Sequence, residues 1–81
     1  MSKIQAIDLK PGQIIQVTYD YETIQETILE IEVVDRPGYL LHNTIIVTLT
    51  GKIDYYFEPD TEVHVVGQLD DEGLLFLKEK M

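Results

Sequence analysis

Apolar and polar side chains alternate along several short segments of the chain, a spacing typical of β-strands with one buried face. The clearest runs are residues 13–19, where Ile15, Val17 and Tyr19 share one face, and residues 45–49. Turn-forming residues separate these runs at short intervals, as they do in β-sandwiches and β-barrels. The pattern therefore predicts an all-β domain built from short strands.

Glycine and proline mark the predicted turns. Lys10-Pro11-Gly12 fits a type II turn, because proline presets φ at the second position and glycine supplies positive φ at the third. Residues 20–25 are predicted to form a loop. The remaining turns are predicted at residues 35–38, 51–52, 58–60 and 70–73. The last of these would be a hairpin loop, followed by a final strand over residues 74–78 and a frayed end.

Residues 26–35 carry two superimposed patterns. Ile24, Ile28 and Ile31 have helical spacing, whereas the apolar residues from Leu29 onward alternate with glutamates as in a strand. The strand is favoured because β-branched residues lose rotamer freedom in helices, and because a helix would stack glutamates four residues apart. The additional apolar residue at Ile28 then indicates a β-bulge.

Five or six strands result, and a sheet this small removes its exposed edges best by closing. We therefore predict one antiparallel β-barrel domain spanning residues 1–81, with either an OB-fold or an SH3-like topology. Residues 63–76 resemble the final hairpin of many OB-folds, where a glycine, here Gly67, kinks a strand before an acidic turn. The Lys10-Pro11-Gly12 turn before a strand fits an SH3-like barrel equally well. One long strand is expected over residues 39–50, with an interruption allowed at His42-Asn43.

The balance of acidic and basic residues is the most unusual feature of the composition. Fifteen acidic residues face six basic ones, for a formal net charge of -9 over 81 residues. This balance argues against general nucleic-acid affinity, which depends on Lys and Arg displacing counterions. It is explained either by solubility alone or by a basic partner. The sequence contains no apolar run resembling a signal peptide or a membrane span, so we expect a cytoplasmic protein.

Candidate chemistry is sparse. The chain has no cysteine, one serine (Ser2) and two histidines, His42 and His64, and none of them falls in a catalytic motif. The acidic segment 70–73 lacks the alternating oxygen ligands and the distal glutamate of an EF-hand loop, so a hairpin turn explains it better. We predict no catalytic residue, no metal site and no cofactor.

The remaining candidates for function are residues that could bind a partner at the protein surface. Tyrosine and arginine are favoured at protein interfaces, because they supply contact area at low entropic cost. The candidate partner-binding residues are Tyr19, Tyr21, Glu30, Glu32, Arg36, Tyr39, Tyr55 and Tyr56.

The favoured hypothesis is a non-enzymatic protein-interaction module (an adaptor, subunit or inhibitor) that binds a protein partner through an acidic and aromatic surface. Self-association through an unpaired edge strand is a variant of this hypothesis. Two alternatives stay open. One is an acidic inhibitor that mimics nucleic acid and blocks a DNA- or RNA-binding protein. The other is single-stranded nucleic-acid binding on an OB-type face, where aromatic side chains stack on bases.

Overall fold

The structure, a computed structural model, describes residues 2–34, 44–50 and 53–80. Its strands are β1 (Ser2–Gln5), β2 (Gln13–Tyr19), β3 (Glu22–Val34), β4 (Thr44–Leu49), β5 (Asp54–Phe57) and β6 (Glu62–Gln68), followed by the helix α1 (Asp71–Glu79). The strands form one antiparallel sheet in the order β1-β6-β2-β3-β4-β5. The prediction of an all-β fold is confirmed. Among the described residues no pairing joins β1 to β5, and the sheet is open.

β3 is the strand that organises the sheet. Its first half pairs with β2 and its second half with β4. The register shifts between Ile28 and Glu30, so Leu29 is skipped and the alternation changes phase. Ile24 and Ile28 contribute to the core before the shift, and Ile31 after it. The predicted strand and its bulge are confirmed, and Leu29 is the inserted residue.

A small apolar core covers one face of the sheet. Alternate residues of β4 are buried in this core, and the residues between them face the opposite side of the sheet. The buried members of the core cluster are Ala6, Leu9, Ile15, Val17, Ile28, Ile45, Val47, Leu49 and Val63. No polar or charged residue in the described part of the chain is buried.

The predicted turn at Lys10-Pro11-Gly12 is confirmed. Gly12 has φ +94°, and the Gln13 N–H donates to the Lys10 carbonyl at 3.3 Å. The Gly12 N–H donates to the Ile28 carbonyl at 2.8 Å, so the turn lies against β3. A side chain here would both strain the backbone and place its Cβ 3.1 Å from the Leu69 carbonyl oxygen.

The predicted loop over residues 20–25 is wrong. β2 and β3 are joined by a two-residue hairpin turn, and β3 begins at Glu22. Asp20 and Tyr21 have φ values of 51° and 67°, as a type I′ turn requires at both central positions. Tyrosine rarely adopts positive φ. The sequence has Asp-Tyr where this turn usually has Asn-Gly or Asp-Gly, and the turn is therefore not predictable from the residue types.

The predicted hairpin at residues 70–73 and the final strand over residues 74–78 are also wrong, because this segment is α1. The Asp70 side chain accepts a hydrogen bond from the Gly73 N–H at 2.7 Å, which caps the helix. Asp71 in the first turn and Lys78 in the last complement the helix dipole. The resemblance of residues 63–76 to an OB-fold hairpin therefore fails over its second half.

β1 was not predicted; it pairs with β6, with Ile4 opposite Val63. The predicted turns at residues 35–38 and 51–52, and the first residues of the strand predicted over 39–50, lie outside the described residues. No helix in the described part of the chain is long and apolar enough to cross a lipid bilayer.

Candidate protein-interaction surface

One side of the β3–β4–β5 part of the sheet faces away from the core. In antiparallel strands, residues directly opposite each other share a face. Ile46 of β4 therefore lies between Glu32 of β3 and Tyr56 of β5, because it is paired with both. Thr48 likewise lies between Glu30 and Asp54. We call these residues the acidic–aromatic face: Glu30, Glu32, Ile46, Thr48, Asp54 and Tyr56.

The side chains of this face are accessible. Both glutamates and Asp54 are exposed, and Tyr56 keeps 55% of its surface in solvent. Ile46 and Thr48, on the central strand, are half-buried. Since neighbouring strands are about 5 Å apart, the backbones at Glu32 and Tyr56 are about 10 Å apart, with Ile46 between them. An incoming side chain could thus contact an aromatic ring, an aliphatic side chain and a carboxylate together.

The electrostatic character of the face is uniformly negative. It carries three carboxylates, and β3, β4 and β5 contain no lysine or arginine. The Thr48 Oγ1 donates a hydrogen bond to the Asp54 Oδ1 at 2.9 Å, which orients that carboxylate across the strand pair. A cation that approaches this face meets several acceptors within one side-chain length.

Tyr55 does not belong to this face, although it is one of the predicted binding residues. Its side chain lies on the core side of β5, half-buried and stacked on Phe57 with ring centroids 6.1 Å apart. The Tyr55 hydroxyl is buried and has no hydrogen-bond partner among the described residues. Tyr55 therefore packs on the core side of β5, away from the acidic–aromatic face.

The remaining predicted binding residues are not brought to the acidic–aromatic face. Tyr21 is fully exposed at the tip of the β2–β3 turn, nine residues from Glu30 along β3. At about 3.3 Å per residue this separates the two by roughly 30 Å. The backbone of Tyr19 pairs with Glu22 at the same end of the sheet. The side chain of Tyr19 and the whole of Arg36 and Tyr39 lie outside the described residues.

Not every acidic residue of β3 joins the face. Glu26 lies before the bulge, opposite Ile15, and is half-buried. It accepts a hydrogen bond from the Thr50 hydroxyl. The backbone N–H of Thr50 donates to the Thr27 carbonyl at 3.1 Å. The bulge thus separates a glutamate engaged with Thr50 from two that are exposed.

Sequence reasoning missed two groups of exposed residues. Ile46 and Thr48 belong to the face because of the cross-strand register, which no single segment reveals. Leu75 and Phe76 of α1 are each 59% exposed, and the Lys80 ammonium lies 4.6 Å from the Phe76 ring centroid. The aspartate at position 70 ahead of two further acidic residues was a helix-start signal that could have found them.

The described residues contain no group of three histidine, aspartate or glutamate side chains arranged to hold a metal ion. Comparisons of the chain with protein-family models, with curated proteins and with solved structures found no match.

Proposed function

We propose that this protein is a non-enzymatic protein-interaction module that binds a basic partner through the acidic–aromatic face. The observation that carries the proposal is the arrangement of Glu30, Glu32 and Asp54 around Tyr56 and Ile46 on one exposed sheet face. Tyrosine is enriched at protein interfaces, and a tyrosine flanked by carboxylates suits a lysine or arginine side chain particularly well.

The expected affinity is modest. An exposed ion pair contributes about 0.2–1 kcal/mol, and a cation–π contact at an exposed site about 0.5–1 kcal/mol. Three carboxylates and one ring therefore contribute only a few kcal/mol to the free energy of binding. Burial of Ile46 and Tyr56 against the partner adds to this contribution. Binding should be dominated by electrostatic attraction and should weaken as salt screens these charges.

The nucleic-acid-mimic alternative uses the same carboxylates and differs in its partner, which would be a DNA- or RNA-binding protein with a basic cleft. It is a special case of the proposal and is decided by the identity of the partner. Single-stranded nucleic-acid binding draws less support. It would place phosphates beside three carboxylates, and it loses Tyr55 as a stacking platform because that ring packs toward the core.

We further propose that the open sheet is that of an SH3-like barrel within a single domain. The order of the strands supports this topology over an OB-fold, because β2, β3, β4 and β5 form a meander and β6 returns to pair with β2. The bulge in β3 supports it too, since a bulge lets one long strand serve both halves of a curled sheet.

The test is affinity capture from the native cell with two charge-reversed variants. Glu30→Lys with Glu32→Lys alters the face, whereas Glu62→Lys with Glu72→Lys alters exposed residues of β6 and α1. Each substitution raises the charge by two, so both double variants change the net charge from -9 to -5. Loss of a salt-sensitive partner in the first variant, with retention in the second, supports the proposal. Equal retention or equal loss in both contradicts it.

A further inference from the structure

The strand β5 is the last strand of the sheet. One of its sides pairs with β4, and no described strand pairs with the other. A strand edge of this kind presents backbone N–H and C=O groups that can pair with another extended chain. Its residues, Asp-Tyr-Tyr-Phe, include no proline, and the three aromatic residues among them favour the extended conformation.

The register shows which backbone groups of β5 are engaged with β4. The Leu49 N–H donates to the Ile53 carbonyl at 3.0 Å, so these two residues form a hydrogen-bonded pair. Hydrogen-bonded and non-hydrogen-bonded pairs alternate along an antiparallel ladder. Tyr55 opposite Val47 is therefore the next hydrogen-bonded pair, and Phe57 follows two residues later.

By the same alternation, the backbone groups of Asp54 and Tyr56 point away from β4, toward the free side of β5. The row ends at Glu58, whose carbonyl accepts a hydrogen bond from the Thr61 N–H at 3.0 Å. Asp54 and Tyr56 thus offer two donors and two acceptors to a strand that arrives from outside. These are also the two β5 residues whose side chains belong to the acidic–aromatic face.

We propose that β5 accepts an extended segment of a partner protein as an additional strand, and that this segment alternates basic and aliphatic residues. Residues of the added strand on the outer side would lie beside Asp54 and Tyr56, where the negative charge of the face favours lysine or arginine. Residues on the core side would lie beside Tyr55 and Phe57, which favour aliphatic side chains. This inference rests on the proposed function and specifies the chemistry of the partner.

Charge complementarity selects such a segment over a second copy of this chain. Each copy carries a net charge of -9, so pairing two β5 strands would bring like charges together. In the antiparallel register that sets Tyr56 against its own copy, Asp54 would lie opposite Glu58, an unfavourable cross-strand pair. A basic segment instead neutralises the edge.

The test uses the whole chain and a synthetic heptapeptide of alternating lysine and valine with blocked ends. In an antiparallel addition the lysines lie opposite Asp54 and Tyr56, and their N–H groups face β5. N-methylation of the lysine amides should then weaken binding at least about tenfold, because it removes those hydrogen bonds. N-methylation of the valine amides, which face solvent, should leave the affinity nearly unchanged. The reverse pattern also supports strand addition, with the peptide parallel to β5.

Three results overturn the inference. Equal binding of all three peptides would mean that charge alone attracts them, and equal loss with both methylated peptides would mean that their N–H groups are not distinguished. If all three peptides bind equally and the Glu30→Lys, Glu32→Lys double variant binds none of them, the proposed function is supported and strand addition to β5 is excluded. Self-association of the protein through β5 in place of peptide binding would also contradict it.

A variant of the protein gives an independent measurement. Tyr56→Pro removes the outward N–H without removing a hydrogen bond to β4, and proline is tolerated in edge strands. Its matched control, Tyr56→Ala, removes the same aromatic ring and keeps the N–H. We expect the proline variant to bind the unmodified heptapeptide at least about threefold more weakly than the alanine variant. Equal affinity of the two variants contradicts the inference.

Discussion

The side chains of Tyr55 and Tyr56 lie on opposite faces of β5, although the residues are adjacent in the chain. Tyr55 packs against the core and buries its hydroxyl, whereas Tyr56 keeps 55% of its surface in solvent. Adjacent residues of a strand differ in this way because side chains alternate across the sheet. Two tyrosines with similar sequence surroundings therefore have different physical roles, and matched substitutions separate them.

Tyr55→Phe should raise the stability of the protein. The hydroxyl is buried without a partner among the described residues, so the folded state bears a desolvation cost that phenylalanine avoids. We expect the free energy of unfolding to rise by about 1 kcal/mol, measured by urea denaturation. Tyr56→Phe, the matched control, should change it by less than about 0.5 kcal/mol. A clear loss of stability in Tyr55→Phe would show that the hydroxyl is satisfied.

Tyr21→Gly should also stabilise the protein, by about 1 kcal/mol. Tyr21 adopts φ 67°, where a side chain costs roughly 1–2 kcal/mol, and its fully exposed ring gains nothing from packing. The control is Thr23→Gly, which places glycine in β3 and should destabilise the protein. Thermal unfolding of both variants measures the difference. Destabilisation by both substitutions would mean that Tyr21 does not hold positive φ.

Val47→Ala should destabilise the protein by about 2–4 kcal/mol, because the side chain is fully buried in the core cluster. Ile46→Ala, one residue away on the acidic–aromatic face, should cost clearly less since that side chain is half-buried. The comparison uses urea denaturation of both variants. Equal costs would mean that the outer face of β4 is also covered.

Asp70→Ala should weaken α1 by about 1 kcal/mol, because it removes the acceptor for the Gly73 N–H. Hydrogen exchange of the amides in α1 should accelerate, while exchange in β2 and β3 stays slow. Asp70→Asn is the control, since asparagine caps helices about as well. Unchanged hydrogen exchange of the α1 amides in the alanine variant would rule out the cap and indicate a turn at this position instead.

The sequence predicted those parts of the fold that depend on local alternation. Ile45, Val47 and Leu49 mark one face of β4 unambiguously, and the extra isoleucine at position 28 indicated the bulge. The strand predicted over residues 74–78 is wrong because a short apolar run fits either a strand or a helix, and Asp70 suits a turn as well as a cap.

The candidate site was predictable only in part, for a related reason. Glu30, Glu32 and Tyr56 were identified individually from their residue types. Their meeting around Ile46 depends on the register of three strands, which tertiary pairing sets. Alternation also could not decide which of the two adjacent tyrosines faces the core.

An NMR titration of the ¹⁵N-labelled protein with the unmodified lysine–valine heptapeptide at low salt shows directly whether the acidic–aromatic face binds a basic segment. Binding to the acidic–aromatic face predicts that the largest amide shift changes fall on Glu30, Glu32, Thr48, Asp54 and Tyr56, and that they fade as salt is added. Changes centred on β1, β6 or α1 instead, or none at all, would contradict binding of a basic partner at the acidic–aromatic face.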